Sequence, residues 1–494
     1  LNPTRSPLFN KGRSELSATQ EKLLKKAPSP INEVAKNFPL LSGSNAWVVG
    51  SKLTESGFPI LANDPHIQFS SPSIWYEAHI KTPTLEIYGH HMPGIPVPPL
   101  GHTKDKAWGV TMFQNDDLFF YKEKVNPNNE NEVMYKGRWT PLTSHQEKIY
   151  VKGKKDPIIL TVKHSPHVPI VNAVVDEFNK IKEPIAMWWA FSNPKSDMLS
   201  AFYGLAKEKD FKKVPQHLEK IHAPGLNILY ADTNHNIAWW AVAKIPNLDK
   251  KINTQEFLDG SLAEHQIESF LPFSKNPHLV NPKQNYVVSG NNDPYLAVKT
   301  FKRIPGYYSN KQRYNRIEEL ITTEKEKWNL KKMKKVQVDD KDLISRSLIK
   351  VLGLTLDKEE KEEAISKETQ KILREWQGYH KLEEVGPTIY YMYVSQLVQL
   401  LFKTRLPEDL FKHLLGSHHL YSILEDLMKK PNSVWWHLNK TLRNRDDFLK
   451  QAWKKTIQSL KNSLGSDPKK WRWEKVHTLE QEHLIGRKKP FNLI

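Results

Sequence analysis

The stretch that most constrains this chain is Leu41-Ser42-Gly43-Ser44-Asn45-Ala46-Trp47-Val48-Val49-Gly50. A small, flexible, polar run ends at Gly43. An apolar, β-prone run, Trp47-Val48-Val49, begins almost at once. Ser44 stands at the joint. A backbone cut ahead of it would leave one residue carrying both a hydroxyl and a free α-amine. A serine hydroxyl needs a base within reach to act as a nucleophile. An α-amine, titrating at about pH 8, can be that base. Gly43 suits such a cut because glycine takes strained backbone geometry at low steric cost. Gly-Ser-Asn is equally the composition of an ordinary turn before a strand.

The rest of the chain bounds the answer. Its 494 residues exceed what one compact core usually serves. Hydrophobic content of 38% with 15 tryptophans supports a sizeable core, and 26% charge with 10% aromatics is not the profile of a disordered chain. No apolar run reaches the roughly 18 residues of a membrane span. The absence of cysteine excludes disulfides, thiolate catalysis and cysteine zinc sites. The formal charge of +18 raises nucleic acid or another polyanion as a partner. The lysines are spread widely and alternate with glutamates, however, which reads as solvated surface, and no nucleic-acid-binding motif is present.

The pattern changes along the sequence. Residues 1–43, punctuated by five prolines, read as a lead-in with a short helix over Glu15–Lys26. Residues 44–308 read as strands and turns: a hairpin of Ala46–Gly50 with Pro59–Ala62, strands at Leu85–His90 and Ala107–Met112, β pattern through 180, helix in 195–222, then a hairpin at 226–239 and a strand at Asn285–Ser289. Residues 309–465 are helical in periodicity, with segments at 313–322, 339–352, 358–378, 387–403, 408–429 and 446–464. Residues 466–494 read as a return to the β-rich core. His164 and His167 are possible metal ligands, but two histidines without a third partner make a poor site.

The series Ser44–Gly50, Leu61-Ala62-Asn63-Asp64-Pro65-His66, Pro93-Gly94-Ile95-Pro96, Gly101-His102-Thr103 and Ala107-Trp108-Gly109-Val110-Thr111 resembles the penicillin acylase family of N-terminal-nucleophile amidohydrolases. Pro224–Asp232, Asn291-Asn292-Asp293-Pro294 and Trp471–His477 extend the match. The resemblance implies an α+β fold, four αββα layers that are incomplete here, with a helical insertion in the later part. It implies hydrolysis of a linear, non-peptide amide after self-cleavage between Gly43 and Ser44. It makes Ser44 the nucleophile, and the side-chain amide of Asn291 and the backbone N–H of Met112 the oxyanion donors. Asn45 would support the new amino terminus. Arg313 would hold the asparagine and meet a substrate carboxylate. His66 stands where many relatives carry histidine and the penicillin G type carries glutamine. Its backbone would orient the amine and its imidazole could contact Ser44. That residue leans toward the acyl-homoserine-lactone, aculeacin and cephalosporin branch.

The resemblance implies no cofactor. Asp116 aligns with a calcium ligand of some relatives, but Phe119 replaces the next expected carboxylate, which argues against calcium. The expected partners are a small-molecule acyl amide and a small subunit, largely missing because only 43 residues precede Ser44. The carboxyl end also reads as truncated. The expected location is periplasmic or secreted. The residues by themselves leave plainer readings open: a turn with Asx bonding at Asn291–Pro294, a structural His66, and a surface charge at Arg313. The alternative for the whole chain is an inactive large-subunit remnant or a binding protein.

Overall fold

In the computed structural model the described residues are 43–67, 72–192, 195–249, 251–298, 304–357, 363–417 and 419–478. The expected helix over Glu15–Lys26 lies outside them. Strands β1 (Gly43–Val49) and β2 (Ile60–His66) pair antiparallel over seven residues, from Gly43 opposite His66 to Val49 opposite Ile60. The expected hairpin is therefore longer at its open end, and its ladder takes in Ser44, Asn45 and the Asn63–His66 motif. The side chains of Ala46, Trp47, Val48 and Val49 are wholly buried, so both faces of β1 are covered there and a slip of one residue would force each side chain into the packing of the opposite face.

The chain divides into two units. Among the described residues, one holds those within 75–287 and 291–308 and the other those within 43–74, 288–290 and 309–478. One division thus falls at Tyr308/Ser309, while β1 and β2 group with the helical part of the chain.

The first unit is built on a seven-stranded sheet. Its order is His278–Val280, Ile237–Val242, Leu226–Asp232, β6 (Lys106–Met112), β5 (Leu100–His102), β4 (Glu86–His91), β3 (Tyr76–Lys81), and every pairing is antiparallel. Leu226–Asp232 and Ile237–Val242 are buried along their whole length, which explains their almost unbroken apolar sequence. The helices Met198–Lys207 and Val214–Leu218 pack on one face, where Phe202, Leu205 and Leu218 meet Trp108, Ile228 and Trp240. Asp197 caps the first helix by accepting from the Ser200 N–H at 3.0 Å. At the other end the buried Lys106 ammonium donates to the carbonyls of Ala206 and Glu208, placing a cation where the helix dipole is negative. A smaller sheet joins Ile185–Trp189, β7 (Leu118–Lys122) and Leu258–Asp259. Thr143–Ile149 and Ile158–His164 form a separate two-stranded ribbon.

The second unit is mainly helical: Gln312–Thr323, Leu330–Gln337, Ser345–Leu356, Ala364–Glu375, Gly386–Phe402, Glu408–Leu415, Leu420–Lys429 and Arg445–Leu464. Gly386–Phe402 is the central helix, buried around most of its circumference, and it shares a core with Arg445–Leu464 through Tyr393, Leu397, Phe448 and Trp453. Gly386 permits its approach, since a Cβ there would sit 2.2 Å from the Trp376 ring. The expected 408–429 helix is two helices broken at Gly416. The helix Leu330–Gln337 was not expected at all: its lysine-rich turns carry only two buried residues, Met333 and Val336. That helix nevertheless anchors β1, because the Trp47 indole N–H donates to Met333 Sδ at 3.3 Å.

Candidate active site

Two clusters carry the residues singled out in the sequence, one in each unit. The first surrounds Ser44. In an antiparallel ladder side chains alternate between faces, so Gly43, Asn45, Asp64 and His66 share one face and Ser44 takes the other. Arg313, on the helix Gln312–Thr323, lies over the first face. Its Nη1 donates to the Ser44 carbonyl at 2.5 Å and to Asn45 Oδ1 at 2.7 Å. Asn45 Nδ2 donates to Asp64 Oδ2 at 3.0 Å, and Asn63 Nδ2 to the Asn45 carbonyl at 2.7 Å. Burial pushes the Arg313 guanidinium down to about 10, against the opposing pull of Asp64, so it stays cationic at neutral pH.

Gly43 is required by this packing. A Cβ at that position would lie 2.6 Å from Arg313 Nη2 and 2.9 Å from Cζ. Ser44 is buried, and its Oγ donates to the Gly43 carbonyl oxygen at 2.8 Å. The hydroxyl thus rests against the peptide group that a maturing cut would break.

His66 is placed differently from one expectation. Its Nε2 meets Asp64 Oδ2 at 2.6 Å, on the face opposite to the Ser44 side chain. Strand alternation therefore turns the imidazole away from the hydroxyl. What His66 presents toward the Gly43–Ser44 link is its backbone, paired with Gly43.

The second cluster lies at the end of β6. Asn291 Nδ2 donates to the Met112 carbonyl at 2.9 Å. Phe113 N–H bonds the Gly225 carbonyl, so at the next pair, Met112 opposite Leu226, the Met112 backbone groups point away from that neighbour. In an extended residue N–H and C=O project to the same side. Asn291, bonded to that C=O, is thus on the side to which the Met112 N–H points. Asn227 steadies the arrangement: its Nδ2 donates to Thr111 Oγ1 and the Met112 carbonyl, both at 3.1 Å, while its Oδ1 accepts from the Trp239 indole at 3.0 Å. Asn291 is almost fully buried and holds a left-handed backbone, φ 61°. Asparagine tolerates that conformation better than most residues. The Asx turn expected of this stretch is also present, with Asp293 Oδ1 accepting from the Tyr295 N–H.

Sequence reasoning missed Asp64, which joins Asn45 to His66, and Asn227. Counting back from the Gly50 and Pro59 ends of the expected hairpin sets Asp64 opposite Asn45. The two histidines considered as metal ligands are engaged elsewhere: His167 bonds Glu123 and Gln266 through its two nitrogens, and His164 packs against His145. Asp116 is buried and takes a hydrogen bond from the Thr254 hydroxyl. Burial raises its carboxyl pKa. Among the described residues no three His, Asp or Glu side chains are grouped to hold a metal ion, and no helix is long and apolar enough to cross a membrane.

A profile of the penicillin amidase family matches residues 5–493. The chain belongs to the penicillin amidase family. It is 24% identical over 485 residues to the acyl-homoserine lactone acylase QuiP of Pseudomonas aeruginosa, covering 91% of this chain and 56% of that protein. It is 24% identical over 251 residues to penicillin G acylase of Escherichia coli, covering 51% and 29%. The chain thus spans a little over half the length of its acyl-homoserine lactone acylase relatives of the QuiP type. In structure it resembles a thermostable penicillin G acylase from Alcaligenes faecalis, with TM-score 0.71, 17% identity, and coverage of 86% of this chain and 80% of that one. The likeness establishes for this family member the α+β fold of the N-terminal-nucleophile hydrolases.

Proposed function

We propose that this chain is the large-subunit part of an acylase that hydrolyses a linear, non-peptide amide through Ser44. The observation that carries the reading is the position of Ser44: its hydroxyl lies against the carbonyl of Gly43, and its own carbonyl is held by Arg313. Maturation begins with Oγ adding to the Gly43 carbonyl carbon. The C–N bond breaks, the proton passes to the departing amine, and water hydrolyses the resulting ester. Ser44 then carries a free α-amine.

In turnover that amine, through a bridging water, takes the Oγ proton as Oγ attacks the substrate's acyl carbon, and returns it to the leaving amine. Asn291 Nδ2 and the Met112 N–H stabilise the oxyanion. Water then releases the acyl group by the same route. Asn45, Arg313 and the His66 backbone hold the amine in place. The names of the relatives, acyl-homoserine lactone acylases and penicillin G acylase, support an acyl amide as substrate. The expected partner is a small subunit, and the expected compartment the periplasm or the exterior.

One observation favours an uncut binding protein instead: Gly43 is already paired in the ladder. Among the described residues it is the outermost pair of that ladder, so a cut there gives up little of the pairing described. Mass spectrometry and amino-terminal sequencing of the full-length protein decide between the readings. The expected result is a new terminus at Ser44 that Ser44→Ala abolishes together with all amide hydrolysis. Normal processing of Ser44→Ala would exclude self-cleavage by this hydroxyl.

A further inference from the structure

The ribbon of Thr143–Ile149 and Ile158–His164 is solvated in an unusual way. The register sets Ile149 opposite Ile158 and Lys148 opposite Ile159, so large aliphatic side chains emerge on both faces at its tip. Ile158 and Ile159 are each 47% exposed and Tyr150 is 77% exposed, with Ile149 and Val151 also open. Around them stand Lys148, Lys152, Lys154 and Lys155, against Glu147 and Asp156. Glu147 is engaged by His145 at 3.1 Å. None of the four lysines has an ion-pair partner among the described residues. A lone two-stranded ribbon is marginal in water, and an apolar patch rimmed by charge marks an interaction surface.

The composition selects the partner. Apolar side chains projecting beyond a ring of lysines suit a lipid interface, where the former enter the headgroup–acyl boundary and the latter meet phosphates. A second copy of the ribbon would bring four lysines against four. We propose that the ribbon tip, residues 148–159, docks this protein on an anionic lipid surface.

The test is flotation of the full-length protein with phosphatidylglycerol–phosphatidylcholine vesicles and with pure phosphatidylcholine vesicles. Binding to the anionic vesicles at low ionic strength, lost as salt is raised, is expected. Each tip lysine removed should weaken it about fivefold, and Lys152→Glu with Lys154→Glu and Lys155→Glu at least about a hundredfold. Tyr150→Ser with Val151→Ser should weaken it about tenfold while leaving its salt dependence unchanged. The control carries the same charge change elsewhere, on exposed lysines: Lys331→Glu, Lys334→Glu and Lys335→Glu. It should alter binding less than about threefold. Circular dichroism and thermal unfolding of each variant verify the fold. The idea fails if both triple variants act alike, if neutral vesicles bind equally, or if sedimentation shows a dimer that the Tyr150 and Val151 changes dissociate. It fails too if the protein ignores vesicles.

Discussion

Two antiparallel ladders in this molecule are each seven pairs long and have opposite surroundings. In β1/β2 four consecutive residues, Ala46–Val49, are wholly buried. In the ribbon every residue of Thr143–Ile149 is exposed. The backbone hydrogen bonding is of one kind, so hydrogen bonding is not what separates them. Burial is: it fixes which face of β1 each side chain takes, and so which of the alternating neighbours Ser44 and Asn45 faces Arg313. A slip of one residue would exchange them and place the hydroxyl under Arg313. The ribbon has no such constraint on its register and is free to serve as a surface.

The contrast can be broken by substitution. Trp47→Ala should cost about 3–5 kcal/mol of stability, through the cavity and the lost contact to Met333, as read by denaturant unfolding. Asn291→Ala should lower kcat/KM by about two to three powers of ten, on the order of 2.7–4 kcal/mol in the transition state. Asn291→Gly keeps the left-handed backbone accessible and should lose as much rate with less loss of stability. A rate near wild type in either variant removes the amide from the oxyanion role. Gly43→Ala forces Arg313 off the ladder, and the yield of cleaved chain over time should fall by about tenfold or more. Ile158→Ser in the ribbon should change stability by no more than about 0.5 kcal/mol. A cost approaching that of Trp47→Ala would mean that the ribbon is covered in the folded protein.

Much of this architecture was legible where local pattern and tertiary demand agree. Trp47-Val48-Val49 reads as a strand and is one, and the helical periodicity of 387–403 and 446–464 falls on Gly386–Phe402 and Arg445–Leu464. Legibility failed where a long-range partner decides. Leu330–Gln337 is a helix chosen by what Met333 and Val336 pack against, and its lysines conceal that. Asp64 sits inside a motif that drew attention to His66, yet its pairing with Asn45 depends on ladder register. The convergence of Asn291 on Met112 joins positions far apart in sequence through one side-chain hydrogen bond. The motif resemblance supplied that pair, and periodicity had no means to.

Four side-chain bonds hold the chain just after the Gly43–Ser44 link. They come from Arg313, Asn63 and Asp64 and end on the Ser44 carbonyl or on Asn45. Severing that link would leave all four in place. The freshly made end would stay moored where it had been before the break.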